Sequence, residues 1–160
     1  MTTAGAADPA DTRSRLLRAS LAVFARRDVD AVSVREIVDL AAVNIAAISY
    51  HFGGKQGLYL ATARYLADTL RDELDPTLAR ISAGAARADR AVAGEMLQEM
   101  IWLLVETLAV DRLSEDAAGF ILREQHQPTA AFDILYERLI QPIHQTYQLL
   151  VSRIVGDAPG

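Results

Sequence analysis

Apolar positions recur along most of the chain at intervals of three and four residues, the period of a helix with one buried face and not the alternation of a strand. Leu16, Leu17, Ala19, Leu21, Val23 and Phe24 predict a first helix that begins at Asp11 or Thr12, either of which suits an N-cap. Asp28-Val29-Asp30 interrupts the pattern. A short helix over 33–40 follows, with Val34, Ile37, Val38 and Ala41 inward, and Ser33 and Glu36 have the spacing of a capping box. Ala42-Val43 reads as a tight connection, Asn44 as a cap, and residues 45–51 or 45–52 as a third helix. Two short helices joined by so brief a turn make a helix-turn-helix.

Gly53-Gly54 breaks the third helix, and Lys55 starts a long one striped by Leu58, Tyr59, Thr62, Tyr65, Leu66, Thr69 and Leu70. It should run to about Leu74, because Pro76 removes an intrahelical bond and kinks or ends a helix. Ser82-Ala83-Gly84 closes that segment. Residues 96–110 are apolar nearly all round, which predicts a helix buried on most faces. A further helix spans Leu113 or Ser114 to His126, and Pro128-Thr129 separates it from a last helix over 129–155. There Phe132, Leu135, Tyr136, Leu139, Ile143, Tyr147, Leu150 and Ile154 form a wide stripe, with Pro142 as a kink point. The pattern yields seven helices and no strand, an all-α fold. Residues 1–10 read as a disordered lead, 11–54 as a three-helix domain and 55–160 as a helical body.

Composition agrees. The 28 alanines and 20 leucines, both strong helix formers, make up 30% of the 160 residues. There is no cysteine, so disulfide scaffolds, thiolate metal sites and cysteine nucleophiles are excluded. No apolar run reaches the eighteen or so residues of a membrane span, and the first ten residues lack the basic start and apolar stretch of a signal peptide. The expectation is a cytoplasmic protein without membrane contact. A net charge of −5 argues against a chain that coats nucleic acid, but it is unevenly spread. Residues 1–55 carry seven basic and six acidic side chains, against nine and fifteen in 56–160, as expected of a small DNA module on an acidic body.

The stretch from Ser33 to Tyr59 carries a resemblance. The capped Ser33-Val34-Arg35-Glu36-Ile37 helix, Asn44 opening the next, Tyr50-His51-Phe52, and Lys55 followed by Leu58-Tyr59 resemble the DNA-binding domain of TetR-family transcriptional regulators. Leu16, Leu17, Ala19, Leu21, Phe24 and Arg27 match that family's first helix. Leu122-Arg123-Glu124-Gln125 before Pro128-Thr129, and then Phe132 and Tyr136, resemble a subfamily that regulates drug-efflux and antibiotic-sensitivity genes. Asp28 and Ala42 stand where the family usually carries glycine. Such regulators usually continue into two more helices that build the dimer interface, so a chain that stops at Gly160 reads as a natural short form, as a fragment, or as one whose dimer is built differently.

In a helix-turn-helix the second helix enters the major groove with its N-terminal residues at base edges. That assigns Asn44, Ile45, Ala46 and Ser49 to the groove. Asn suits a base edge, and Ile45 or Ala46 a thymine methyl. The helix holds no Arg or Lys, so Arg35 on the preceding helix is the candidate donor to guanine, although Asp39 one turn on competes for it. Phosphate contacts fall to Tyr50, His51, Lys55, the Ser33 hydroxyl and, at the start of the first helix, Thr12 and Arg13. Affinity favours a homodimer reading a pseudo-palindrome in double-stranded DNA, with 129–155 as the self-interface.

The resemblance implies a small-molecule effector pocket in the body. Candidate lining residues are Met96, Met100, Trp102, Leu103, Phe120, Arg123, His126, Phe132, Tyr136 and Tyr147, with Arg123 and His126 as polar anchors; the same two could instead cap the helix end before Pro128. The function implied is a ligand-released repressor. The alternative is a helical interaction protein that keeps the fold and does not bind DNA. An enzyme is the weak rival. Gly53-Gly54-Lys55-Gln56-Gly57 lacks the spacing and the preceding strand of a phosphate loop. The pairs Glu95/Glu99 and Asp133/Glu137 read as solvated faces, and His126 and His144 are isolated, so no metal and no cofactor is expected.

Overall fold

The computed structural model describes residues 9–109 and 114–156, and every described element is helical. The chain divides into two compact units, Met1–Leu66 with Glu115–Phe132, and Ala67–Ser114 with Asp133–Gly160. Eight of the expected lead's ten residues lie outside the described part; the other two are already helical.

In the first unit α1 (Pro9–Phe24) starts at a proline, whose fixed φ and missing N–H suit a first helical turn. Asp11 and Thr12 are therefore inside the helix and do not cap it. After a 3₁₀ turn (Val29–Ala31) come α2 (Val34–Ala41) and α3 (Ala46–Phe52), which pack on α1. Leu16, Leu17, Phe24, Ile37, Val38 and Ile48 fill the space between them. The Ser33 hydroxyl accepts from the Arg35 N–H at 3.3 Å, but Glu36 pairs with Arg27, so the capping box is only half formed.

The turn between α2 and α3 closes on Ala42, which has φ 51° and ψ 51°. A left-handed conformation there explains why glycine would suit the position. Arg15 holds it from α1, donating to the Ala42 carbonyl at 3.0 Å. Asp28 has φ −62° and needs no such freedom. Gly53 (φ 71°) turns the chain out of α3 and into α4 (Lys55–Ala85). Residues 55–66 of α4 belong to the first unit and the rest to the second. Within the first unit Ser20 of α1 and Thr62 of α4 meet as buried hydroxyls at 2.6 Å, and α6 (Glu115–His126) lies on α1. Gly119 permits that approach: a Cβ there would sit 3.1 Å from the Ala25 carbonyl oxygen.

In the second unit α4 does not end at Pro76. It continues to Ala85 because Leu74, Leu78, Ile81 and Ala85 are buried along one face on both sides of the proline. That burial outweighs the lost bond. The next helix, α5 (Arg90–Ala109), also starts earlier than its apolar run: Asp89 caps it, accepting from the Val92 N–H at 2.9 Å. It is not buried on most faces. Met100 is in the core, while Ile101, Trp102 and Val105 are exposed. The last helix comprises α7 (Ala130–Leu135), a π turn (Tyr136–Ile140) and α8 (Gln141–Val155). Pro142 accounts for the π turn. Its ring would collide with the carbonyl four residues back, and one wider turn relieves this without ending the helix. Leu150 is buried with the α4–α5 cluster, and Leu139, Ile143 and Ile154 pack beside it.

Two substitutions test the backbone argument. An L-residue in the left-handed region costs roughly 1 kcal/mol, partly offset by glycine's freedom when unfolded. Ala42→Gly should therefore raise stability in urea unfolding by about 0.5–1 kcal/mol. At Gly57 a Cβ would lie 1.8 Å from the Phe52 carbonyl oxygen, a backbone atom that cannot swing away. Gly57→Ala should lower stability by about 2–4 kcal/mol in the same measurement.

Candidate nucleic-acid interface

The surface built by α2, α3 and the start of α4 follows from which residues the small core can use. Ile48 is the one buried residue of α3. The helix therefore presents most of its circumference outward. Asn44, Ile45, Ala46, Ser49 and Tyr50 are all exposed, Ile45 at 48% and Tyr50 at 81%. An apolar and an aromatic side chain left in water at one helix find no use in the fold itself. Asn44 caps the helix through its Oδ1, which accepts from the Ala46 N–H at 2.8 Å. Its amide NH₂ stays available to an outside acceptor.

Arg35 is exposed and makes no ion pair with Asp39 or any other described carboxylate. Ser33 is exposed as well, while Thr12 and His51 are half-buried. The His51 ring stands edge-on to Tyr50 at 4.8 Å and tilted against Phe52 at 6.0 Å. Lys55 is drawn inward. Its Nζ donates to the carbonyls of Asp30 at 3.3 Å and Val32 at 3.1 Å, tying the start of α4 to the segment that leads into α2.

The expected effector residues are divided between the two units. Phe120, Arg123, His126 and Phe132 belong to the first unit, and Met96, Met100, Trp102, Leu103, Tyr136 and Tyr147 to the second. Met100 is core, with Met96 and Leu103 packed against it, whereas Trp102, Tyr136 and Tyr147 are exposed. His126 is exposed, with Nδ1 2.7 Å from the Leu122 carbonyl, and Arg123 pairs with Asp28 at 2.8 Å.

The first unit has a cavity of 450 Å³ lined by Asp28, Asp30, Tyr59, Arg123, Glu124 and Thr129, among others. Glu124, which sequence reasoning missed, is its buried wall, only 1% exposed. Its carboxylate accepts from the Tyr59 hydroxyl, from the Thr129 N–H at 3.1 Å and from the Thr129 hydroxyl at 2.9 Å. A signal was present: Ala117, Phe120, Ile121 and Glu124 share one helical face, and a carboxylate on an apolar stripe must find donors. Burial first, and then the hydrogen bond and charge of Glu124, push the Tyr59 hydroxyl well above its ordinary pKa. Among the described residues no cluster of three metal-ligating side chains occurs, and no helix is long and apolar enough to cross a membrane.

Tyr59→Phe removes one donor from a buried carboxylate and should cost about 1–3 kcal/mol at neutral pH. Because the folded state holds the phenol proton more tightly, this contribution is full below the unfolded pKa of about 10 and fades as pH rises beyond it. Urea unfolding of the wild type should weaken above that pH, and Tyr59→Phe should lose less there.

Comparison with known proteins agrees with the geometry. Residues 16–62 match the family described as bacterial regulatory proteins, tetR family. Residues 93–160 match the C-terminal domain of the HTH-type transcriptional dual regulator CecR. The CecR protein of Shigella flexneri is 34% identical over 146 residues, covering 90% of this chain. The chain spans 65% of that relative's length. A solved structure from Mesorhizobium loti MAFF303099 that carries a TetR-family designation aligns over 92% of this chain and 72% of its own, with TM-score 0.60 and 17% identity, a likeness of fold. These families are transcriptional regulators and not enzymes, in line with the expectation of no catalytic centre.

Proposed function

The chain belongs to the tetR family of bacterial regulatory proteins, and from that premise we propose that it is a ligand-responsive DNA-binding regulator. The observation that carries this reading is the outward face of α3, with Asn44, Ile45, Ala46 and Ser49 along one exposed surface and Tyr50 almost wholly in solvent. In the major groove these residues read base edges and thymine methyls, and Arg35, with no carboxylate partner among the described residues, reaches guanine. Thr12, Ser33, Tyr50, His51 and Lys55 hold phosphates. For Lys55 the two carbonyl bonds use two of three ammonium donors and leave one for the backbone.

The chain acts as a homodimer on a pseudo-palindromic operator. Support comes from the last helix, where Tyr136, His144, Tyr147 and Val155 leave a second, exposed stripe beside the buried one. Two readers one helical turn of DNA apart give the affinity that one small module lacks. Operator occupancy represses, and a small molecule held by the body relieves it. Methionines at Met96 and Met100 give that core side chains able to repack around a guest. The relative's name, a dual regulator, extends such control to both signs in that protein.

Selection of bound duplexes from a random pool tests the reading. A pseudo-palindrome should be enriched, and Tyr50→Ala should weaken binding severalfold while changing stability by no more than about 0.5 kcal/mol, since the ring is exposed. A well-folded dimer that enriches no sequence would favour a helical interaction protein instead.

A further inference from the structure

Three carboxyl side chains, those of Asp28, Asp30 and Glu124, line the 450 Å³ cavity of the first unit against one guanidinium, that of Arg123. The guanidinium is committed to Asp28 at 2.8 Å. Glu124 receives only neutral donors, the Tyr59 hydroxyl and the two groups of Thr129. Lys55 meets Asp30 at its backbone carbonyl and does not line the cavity. Hydrogen bonds satisfy the lone pairs of a buried carboxylate, but its charge is offset in full only by an opposite charge. The cavity therefore favours a cation, and more strongly than the same carboxylates would in open water.

A second group in the same wall has the opposite need. Arg123 Nε is buried without a hydrogen-bond partner, alone in this among the buried side-chain nitrogens and oxygens of the described residues. The terminal nitrogens donate to Asp28 at 2.8 Å and to the Ala25 carbonyl at 3.4 Å, so the Nε–H still calls for an acceptor. Val29, Ala31 and Pro128 add apolar surface, and the volume falls within the range of small-molecule sites. A guest that answers all of this carries an ammonium, a short apolar body and an acceptor oxygen.

We propose that this cavity is a binding site for a small organic amine, with the ammonium against Glu124 and Asp30 and a hydroxyl or carbonyl oxygen at Arg123 Nε. It lies in the DNA-reading unit and is separate from the body, where the effector reading places its ligand. It depends neither on that reading nor on DNA binding. Its walls reach the reader directly: Val29–Ala31 leads into α2, and the Asp30 carbonyl is one of the two that Lys55 ties to the start of α4.

The probe is tyramine, which has an ammonium, a ring and a hydroxyl. N-acetyltyramine, which is neutral, and para-hydroxyphenylacetate, which is an anion, keep the ring and the hydroxyl and serve as controls. Each is titrated into the full chain and followed by amide NMR. Millimolar tyramine should give saturable shifts at the amides of residues 28–31 and at Gln127 and Thr129, and the controls should give far smaller ones. Asp30→Asn changes an exposed side chain, keeps the carbonyl that Lys55 uses, and should weaken tyramine about fivefold, the worth of one nearby charge in a partly solvated site. Glu124→Gln should weaken it further, with thermal unfolding confirming the fold; if that variant does not fold, Asp30→Asn decides alone. No saturable shift at those amides, an equal response to the neutral or anionic control, or unchanged affinity in Asp30→Asn overturns the proposal. Tyramine shifts confined to residues 67–109 and 133–156 overturn it too, while supporting a ligand site in the body.

Discussion

The first unit depends on burying a polar aromatic side chain at the meeting point of three helices. Tyr59 of α4 packs edge-on to Phe24 of α1 at 4.8 Å and against Phe120 of α6 at 5.3 Å, and it is only 2% exposed. A phenol in that position needs an acceptor, and Glu124 supplies it. A buried carboxylate then needs more donors than one, and the turn at Thr129 supplies two. Each requirement creates the next. This chain of satisfaction is why α6, distant in sequence, is part of the same unit as the helix-turn-helix.

The same economy shapes the interface. Three short helices enclose a core so small that α3 gives it one side chain, and the remaining residues are free to be chosen for what lies outside. Precision then has to come from the ends of the helices. Arg15 grips the left-handed turn before α3, and two glycines of positive φ release the chain after it. Lys55 pins the segment entering α2 to the start of α4. Contacts of this kind fix the direction of a helix while leaving its outer face untouched.

Much of this was legible in the sequence, for identifiable reasons. The period of apolar residues located every described α-helix, and the departure from glycine at Ala42 marked the position that the backbone holds at φ 51°. Local signals failed where tertiary packing outvoted them. Pro76 was a sound stop signal, overridden by apolar residues on both sides of it. Glu36 had the spacing to complete a capping box and found Arg27 closer at hand. Residues 96–110 are apolar nearly all round, yet a helix can be so without being surrounded. A helical stripe says which residues share a face and not which compact unit that face joins, so the division of the expected effector residues between two units was not legible. The cavity at Tyr59 and Glu124 involves a loop after α1 and a loop after α6, and no one-dimensional period links them.

Trp102 is the single tryptophan of the chain, it belongs to the second unit, and it is 57% exposed. With excitation at wavelengths that tyrosine does not absorb, its emission is that of a solvated indole, carrying no background from the first unit, whose own aromatic groups are tyrosines and phenylalanines. Intrinsic fluorescence becomes a one-channel view of α5. Melting of the second unit, or anything that comes to rest on that face, alters its colour or its quenching, while events confined to the helix-turn-helix pass unseen in the same spectrum.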